Sequence, residues 1–230
     1  MSESSHPRKL YGRRKGPKLS PHKEELRRTL LPKLALRLEP GRDPCSYFKP
    51  EAEEVWLEVG FGGGEHLLEQ AHSNPCVGLI GAEPYEAGVA KLLSKLADAP
   101  QLNIRIHEGD ARDIIEALPD ASLGRVFILF PDPWPKTRHH KRRFVQMEML
   151  DALARVMKPG AELRVASDDA GYVEWTLERA MAHPEFAWTA ERAADWKTRP
   201  PGWPQTRYEA KALHGPPAYL LFVRRCKITR

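Results

Sequence analysis

The chain is poor in sulfur, has no long apolar run, and has no acid where its bases are densest. It holds three cysteines, Cys45, Cys76 and Cys226. Their scattered positions lack the paired spacing of a disulfide framework or a zinc site, so no staple and no metal are expected. No stretch approaches the roughly 18 apolar residues of a membrane span. The amino terminus, Met1-Ser2-Glu3-Ser4-Ser5, leads into basic residues without the apolar stretch of a secretory signal, and a cytoplasmic protein is expected. Acids are missing from two segments: residues 8 to 23 and residues 134 to 143 contain Lys and Arg but neither Asp nor Glu.

The 230 residues are 41% hydrophobic and 29% charged, enough for one sizeable core. The net charge of +5 is very uneven. Residues 1 to 33 sum to +7 and residues 134 to 143 to +5, which leaves −7 for the rest. An acidic body with two basic segments points to a polyanion, and nucleic acid is the expected partner. Residues 1 to 20 are expected to form a separate basic tail, disordered until RNA arrives, that binds phosphates and leaves cofactor affinity unchanged. Residues 21 to 230 form the remaining domain.

That domain reads as alternating strands and helices. Val55–Gly60, Val77–Ala82, Ile104–Ile106, Gly124–Phe130 and Leu163–Ala166 are short branched runs. Helical periods follow at Glu65–Ala71, Tyr85–Leu96, Phe144–Met157 and Gly171–Ala180, the third stopped by Lys158-Pro159-Gly160. Ser20-Pro21 opens a helix with Leu26, Leu30 and Leu34 spaced by four, which Pro32 ends or kinks. Phe186–Thr189 and Tyr219–Val223 add two late strands. The alternation predicts a single α/β domain with a doubly wound, mostly parallel sheet.

Chemistry gathers at the strand ends, where ligands of open α/β sheets bind. The fourth strand runs into Phe130-Pro131-Asp132-Pro133-Trp134-Pro135, a carboxylate and an indole held by three prolines. Lys136, Arg138, Lys141, Arg142 and Arg143 follow. An acid and an aromatic beside a polycationic loop suit chemistry on a nucleobase. The first strand ends in Glu58-Val59-Gly60-Phe61-Gly62-Gly63-Gly64-Glu65. A dinucleotide fingerprint needs glycine where Glu65 stands, and a carboxylate at a helix start repels a pyrophosphate. A cofactor without phosphate fits better, and S-adenosylmethionine is one. Glu83 after the second strand is placed for ribose hydroxyls, and Asp110 after the third for an adenine edge. Each acid alone could equally be a helix N-cap.

The motifs LEVGFGGG from Leu57, GAEP from Gly81, GDA from Gly109, FPDPWPKTRHHKRR from Phe130, ASD from Ala166 and TRYE from Thr206 occur in that order. On these motifs the chain resembles the bacterial tRNA (guanine-N(7)-)-methyltransferase family. The resemblance implies a Rossmann-like class I S-adenosylmethionine-dependent fold and methylation of nitrogen-7 of a variable-loop guanine, position 46, in tRNA. It implies cofactor contacts from Glu58, Glu83, Asp110 and Asp132, with Asp132 also implicated in catalysis, while Gly60 and Gly62 of the Gly-rich turn are expected to let the backbone approach the cofactor. Substrate contacts fall to Lys136, Asp168, Thr206 and Glu209, and the basic loop Arg138, Lys141, Arg142 and Arg143 is expected on RNA. No metal, membrane or obligatory protein partner is expected. Pro135 stands where many members have histidine, Tyr208 replaces a more usual phenylalanine, and Trp203-Pro204-Gln205 replaces an Arg-Pro-x sequence for which nearby Arg199-Pro200 can substitute. Two other readings are methyl transfer to another RNA base or an exocyclic amine, against which the missing second proline after Asp132-Pro133 counts, and a non-catalytic RNA-binding module. The tryptophans are expected mostly in the core, with Trp134 in the site.

Overall fold

The computed structural model describes residues 10–12, 14–204, 209 and 215–226. Those residues build a seven-stranded sheet from β1 (Glu54–Val59), β2 (Val77–Ala82), β3 (Ile104–His107), β4 (Leu123–Leu129), β5 (Met157–Ser167), β6 (Phe186–Trp188) and β7 (Ala218–Arg224), in the order β3-β2-β1-β4-β5-β7-β6. The first five strands pair in parallel, and β7 runs antiparallel to both β5 and β6. The strand order therefore reverses between β1 and β4. In such sheets the connections on the two sides leave in opposite directions at that point and open a crevice above it.

The connections are α3 (Glu65–Ser73), α4 (Glu86–Asp98), α5 (Ala111–Ala117), α6 (Met147–Val156) and α7 (Ala170–Ala182). Along β1, side chains alternate between two faces. Val55 and Leu57 enter one buried cluster with Ile80, Ile128, Leu163 and Leu220. Trp56 enters the other with Leu79, Phe127, Ala166, Trp203 and Tyr219. Burial on both faces explains why these strands read as near-continuous apolar runs.

The expected elements are present, with two instructive shifts. The fifth strand begins at Met157, directly after α6, six residues before the expected Leu163. Its pairing jumps from Leu123 opposite Met157 to Arg125 opposite Glu162, so Lys158-Pro159-Gly160-Ala161 loops out of register, with Gly160 at φ +83°. The Pro-Gly signal ended the helix as read, but it marks a bulge within a strand. The leading helix is split into α1 (Pro21–Thr29) and α2 (Leu31–Leu34), and Pro32 falls in the first turn of the second piece, where its missing N–H costs no bond. Leu26, Leu30, Leu31 and Leu34 pack on the core, and the Leu36 N–H donates to the Ile106 carbonyl at 2.8 Å. This leading segment thus covers the outer edge of β3, which would otherwise expose unpaired backbone.

Candidate active site

The crevice above β1 and β4 is a cavity of about 920 Å³. Gly60 and Gly62, Glu83, Asp110, Asp132 and Trp134 line it, from the ends of β1, β2, β3 and β4 respectively. Four strand-end motifs far apart in sequence therefore meet in one space.

Its floor is built from backbone. Gly62 sits at φ +56°, a conformation that favours glycine, and turns the chain so that its N–H donates to Glu83 Oε2 at 2.7 Å. The Tyr85 N–H donates to Glu83 Oε1 at 2.8 Å. Gly88 lets α4 approach closely: a Cβ there would lie 2.5 Å from the Gly62 carbonyl oxygen. The Glu83 carboxylate is thus fixed by two backbone donors, and each oxygen keeps lone pairs for a ligand hydroxyl. Burial pushes its pKa up against those two bonds, and Asp132 and Glu58 add to the rise.

Asp110 fills both roles open to it. Its Oδ1 accepts from the Arg112 N–H at 3.0 Å and caps α5, while Oδ2 accepts from Arg112 Nε at 2.8 Å, and the residue still lines the cavity. Glu65 also lines it and is paired at 2.7 Å with Lys95. Burial presses the Glu65 carboxyl upward, but the Lys95 bond prevails and holds it below the ordinary range.

The opposite wall is the segment after β4. Phe130 and Trp134 both have positive φ, +49° and +44°, and bracket Pro131-Asp132-Pro133. Such backbone is rare for bulky residues and persists where its surroundings enforce it, often at functional sites. Asp132 opens to the cavity, and the enclosing walls push its carboxyl above the usual range. Trp134 is in the cavity wall, as its sequence context suggested.

The basic segment divides. Thr137–Arg142 forms a short 3-10 helix, with Lys136, Arg138 and Lys141 exposed. Arg143, expected on RNA, is instead 4% exposed. It donates to the Pro133 carbonyl at 2.8 Å and the Gly171 carbonyl at 3.1 Å, and its guanidinium stacks 4.8 Å from the Trp175 ring. Its charge holds the Asp132 turn onto α7 and is not available to phosphate.

Three other expected residues also stand elsewhere. Glu58 lies beneath the cavity, 3% exposed, with Oε2 2.8 Å from His66 Nδ1. Asp168 lines a separate groove of about 530 Å³ along α7, with Val173, Leu177, Met181 and Trp196. Glu209 is 6% exposed and accepts from Arg199 Nε at 2.7 Å and from the Tyr219 hydroxyl. Arg199 thus reaches Glu209, the last residue of the TRYE motif, and burial together with Glu209 raises the Tyr219 pKa to about 12. Thr206 lies outside the described residues.

One part of the site was not foreseen. Leu10, Tyr11 and Gly12, assigned by sequence to a tail, line the cavity. Tyr11 meets Trp134 edge to face at 6.4 Å, the Arg142 guanidinium lies 4.9 Å from both rings, and the Glu86 N–H donates to the Arg14 carbonyl at 3.1 Å. The available signal was Tyr11 itself, an aromatic with little reason to sit in a solvated basic arm.

Among solved structures, the 16S rRNA methyltransferase KamB resembles the chain with a TM-score of 0.54 at 17% identity, covering 84% of this chain and 98% of its own. The 16S rRNA (adenine(1408)-N(1))-methyltransferase from Catenulisporales acidiphilia gives 0.53 at 15% identity, covering 84% and 98%. At such identities the likeness concerns the fold alone, the Rossmann-like fold of class I methyltransferases. The Methyltransf_4 methyltransferase family model matches residues 52–218. The tRNA (guanine-N(7)-)-methyltransferase of Rhodospirillum rubrum is 51% identical over 224 residues, covering 94% of this chain and 88% of that protein. That of Brucella abortus (strain 2308) is 47% identical over 233 residues, covering 98% and 100%. The chain belongs to the tRNA (guanine-N(7)-)-methyltransferase family.

Proposed function

We propose that the chain methylates nitrogen-7 of the variable-loop guanine, position 46, of tRNA in the cytoplasm, with Asp132 at the reacting centre. The observation that carries this reading is the Pro131-Asp132-Pro133 turn, held between Phe130 and Trp134 of positive φ and facing the same cavity as Glu83 and Asp110.

The cavity suits S-adenosylmethionine on its own chemistry. Its size falls in the range of small-molecule sites. Its strand-end acids favour a cation and hydroxyls over phosphate. Glu83 would hold the ribose hydroxyls, Asp110 the adenine side, and the Gly60–Gly62 backbone the amino-acid head. Glu58, bonded to His66 in the first turn of α3, would steady that loop from below. When bound, S-adenosylmethionine supplies an electrophilic methyl group on a sulfonium.

Guanine nitrogen-7 already carries an in-plane lone pair and no proton, so no general base need act before attack. The protein's work is alignment, an effect worth up to about 7–11 kcal/mol in the best cases. Positive charge moves to the guanine ring as the methyl is transferred, and the Asp132 carboxylate is placed to stabilise it. Trp134 offers a flat face to the base. Thr206 and Glu209 would read the guanine edge, with Arg199 as the fixed counter-charge, and Asp168 would touch the tRNA nearby. Exposed Lys136, Arg138 and Lys141 would meet phosphates.

Incubating the protein with unmodified tRNA and cofactor labelled in the methyl group, then mapping the labelled nucleotide, tests the reading. Label on a variable-loop guanine as 7-methylguanine is expected. Label on an exocyclic amine or another base would overturn it.

A further inference from the structure

Among the described residues, five buried side-chain nitrogens make no hydrogen bond, and two of them, His66 Nε2 and Trp203 Nε1, lie together below the cavity. They belong to rings in direct contact, edge to face with centroids 5.7 Å apart. Buried polar atoms are bonded in more than about 90% of cases, so two orphans in one contact call for a reason.

Their chemistry is complementary. His66 Nδ1 lies 2.8 Å from the Glu58 carboxylate, which as an anion can only accept, so Nδ1 carries the hydrogen. In the neutral ring Nε2 is then a bare acceptor, whereas an indole N–H is only a donor. The two unjoined groups are thus a matched donor and acceptor on adjacent rings.

Trp203 also spans the sheet face. Its ring touches Phe127 of β4 at 6.2 Å and Tyr219 of β7 at 5.6 Å, and the Tyr219 hydroxyl donates to Glu209. The Gln70 side chain donates to the Gly202 carbonyl at 3.0 Å, tying the turn before Trp203 to α3, the helix that the Gly-rich loop opens. Contacts therefore run without a gap from Glu58 under the cofactor loop, through His66, Trp203 and Tyr219, to Glu209.

We infer that His66 and Trp203 are positioning residues that couple cofactor binding to guanine recognition. The inference rests on the assignment of Glu209 to the guanine. The unjoined nitrogens are the switchable element: a bound cofactor fixes the loop, Glu58 and His66, the indole then closes on Nε2, and Tyr219 with Glu209 settles for the base. By linkage, tRNA must tighten cofactor binding by the same factor.

The test is calorimetric titration of S-adenosylhomocysteine, which cannot react, with and without unmodified tRNA. In the unaltered protein, tRNA should raise affinity at least about fivefold, the low end of typical coupling. Trp203→Phe keeps a ring and loses the N–H. It should bind S-adenosylhomocysteine alone within about twofold of the unaltered protein, yet show less than about twofold enhancement by tRNA. A merely structural role would weaken both measurements together. If Trp203→Phe melts early, His66→Leu, titrated in the same way, must lose the enhancement. Enhancement retained in the folded variant, or absent in the unaltered protein, overturns the inference. Glu209→Gln separates the two claims. If it keeps tRNA affinity and turnover, the guanine assignment fails, and if it loses them while Trp203→Phe keeps full enhancement, only the relay fails.

Discussion

Gly12 passes so close to Asp132 that a Cβ added to it would stand 3.6 Å from the carboxylate Oδ2. A segment rich in bases, which the sequence assigned to RNA alone, thus roofs the place where the methyl group would be transferred. Deleting residues 1–18 removes six cations and should make the slope of log affinity for tRNA against log salt shallower by roughly two to four units. The same deletion should also weaken cofactor binding, about tenfold or 1.4 kcal/mol. Titrations of both ligands at several salt concentrations check this. Unchanged cofactor affinity would return the segment to a purely RNA-binding role.

Asp132→Ala should abolish methyl transfer while leaving tRNA binding and the melting temperature close to those of the parent. Single-turnover assays at saturating cofactor give the result. Retention of most of the turnover would remove Asp132 from the reacting centre.

Burial raises the pKa of Glu83, and desolvation by the cavity walls raises that of the more open Asp132. A raised carboxyl keeps its proton to higher pH, and only the deprotonated form can stabilise cationic charge. The acid-side fall in kcat/KM for the cofactor should therefore set in at a pH above the range of an ordinary exposed carboxylate. A pH–rate profile of the unaltered protein measures the limb, and Asp132→Asn, if active enough to follow, should lose the part due to that residue.

Arg143 and its neighbours should separate cleanly. Arg143→Ala removes a buried guanidinium that bonds the Pro133 and Gly171 carbonyls and stacks on Trp175, and should lower stability by about 0.5–3 kcal/mol, read by denaturant unfolding. Arg138→Ala and Lys141→Ala should leave stability within about 0.5 kcal/mol. Each that engages a phosphate should instead reduce the salt slope for tRNA by about 0.7–0.9.

Gly88→Ala places a methyl group against the Gly62 carbonyl, backbone that cannot move aside without shifting Glu83. Overpacking of this kind costs about 1–3 kcal/mol, and here it should appear mainly as weaker cofactor binding. Normal cofactor affinity in this variant would mean that the loop yields freely.

Strand and helix identities, and the meeting of Gly62, Glu83, Asp110 and Asp132 above the sheet, were legible in the chain itself. Apolar period and glycine placement are local properties, and a parallel sheet brings consecutive strand ends to one side. The chain by itself also set the acid–aromatic turn, its prolines and the uneven charge. What it could not decide is which of several like charges stays in solvent. Arg143 and Arg142 are adjacent and chemically identical, yet one is buried under the Asp132 turn and the other lies against Tyr11 and Trp134, because packing of α7 and of the leading segment decides it. Glu58 and Glu83 look alike as strand-end acids, but strand pleat points one into the interior onto His66 and the other into the cavity. In the sequence Trp203 reads as one of the core tryptophans and Tyr219 as the start of a late strand. Only the packing of a distant turn on β4 and β7 sets them between two carboxylates, since contacts between residues far apart in sequence leave no local period to read.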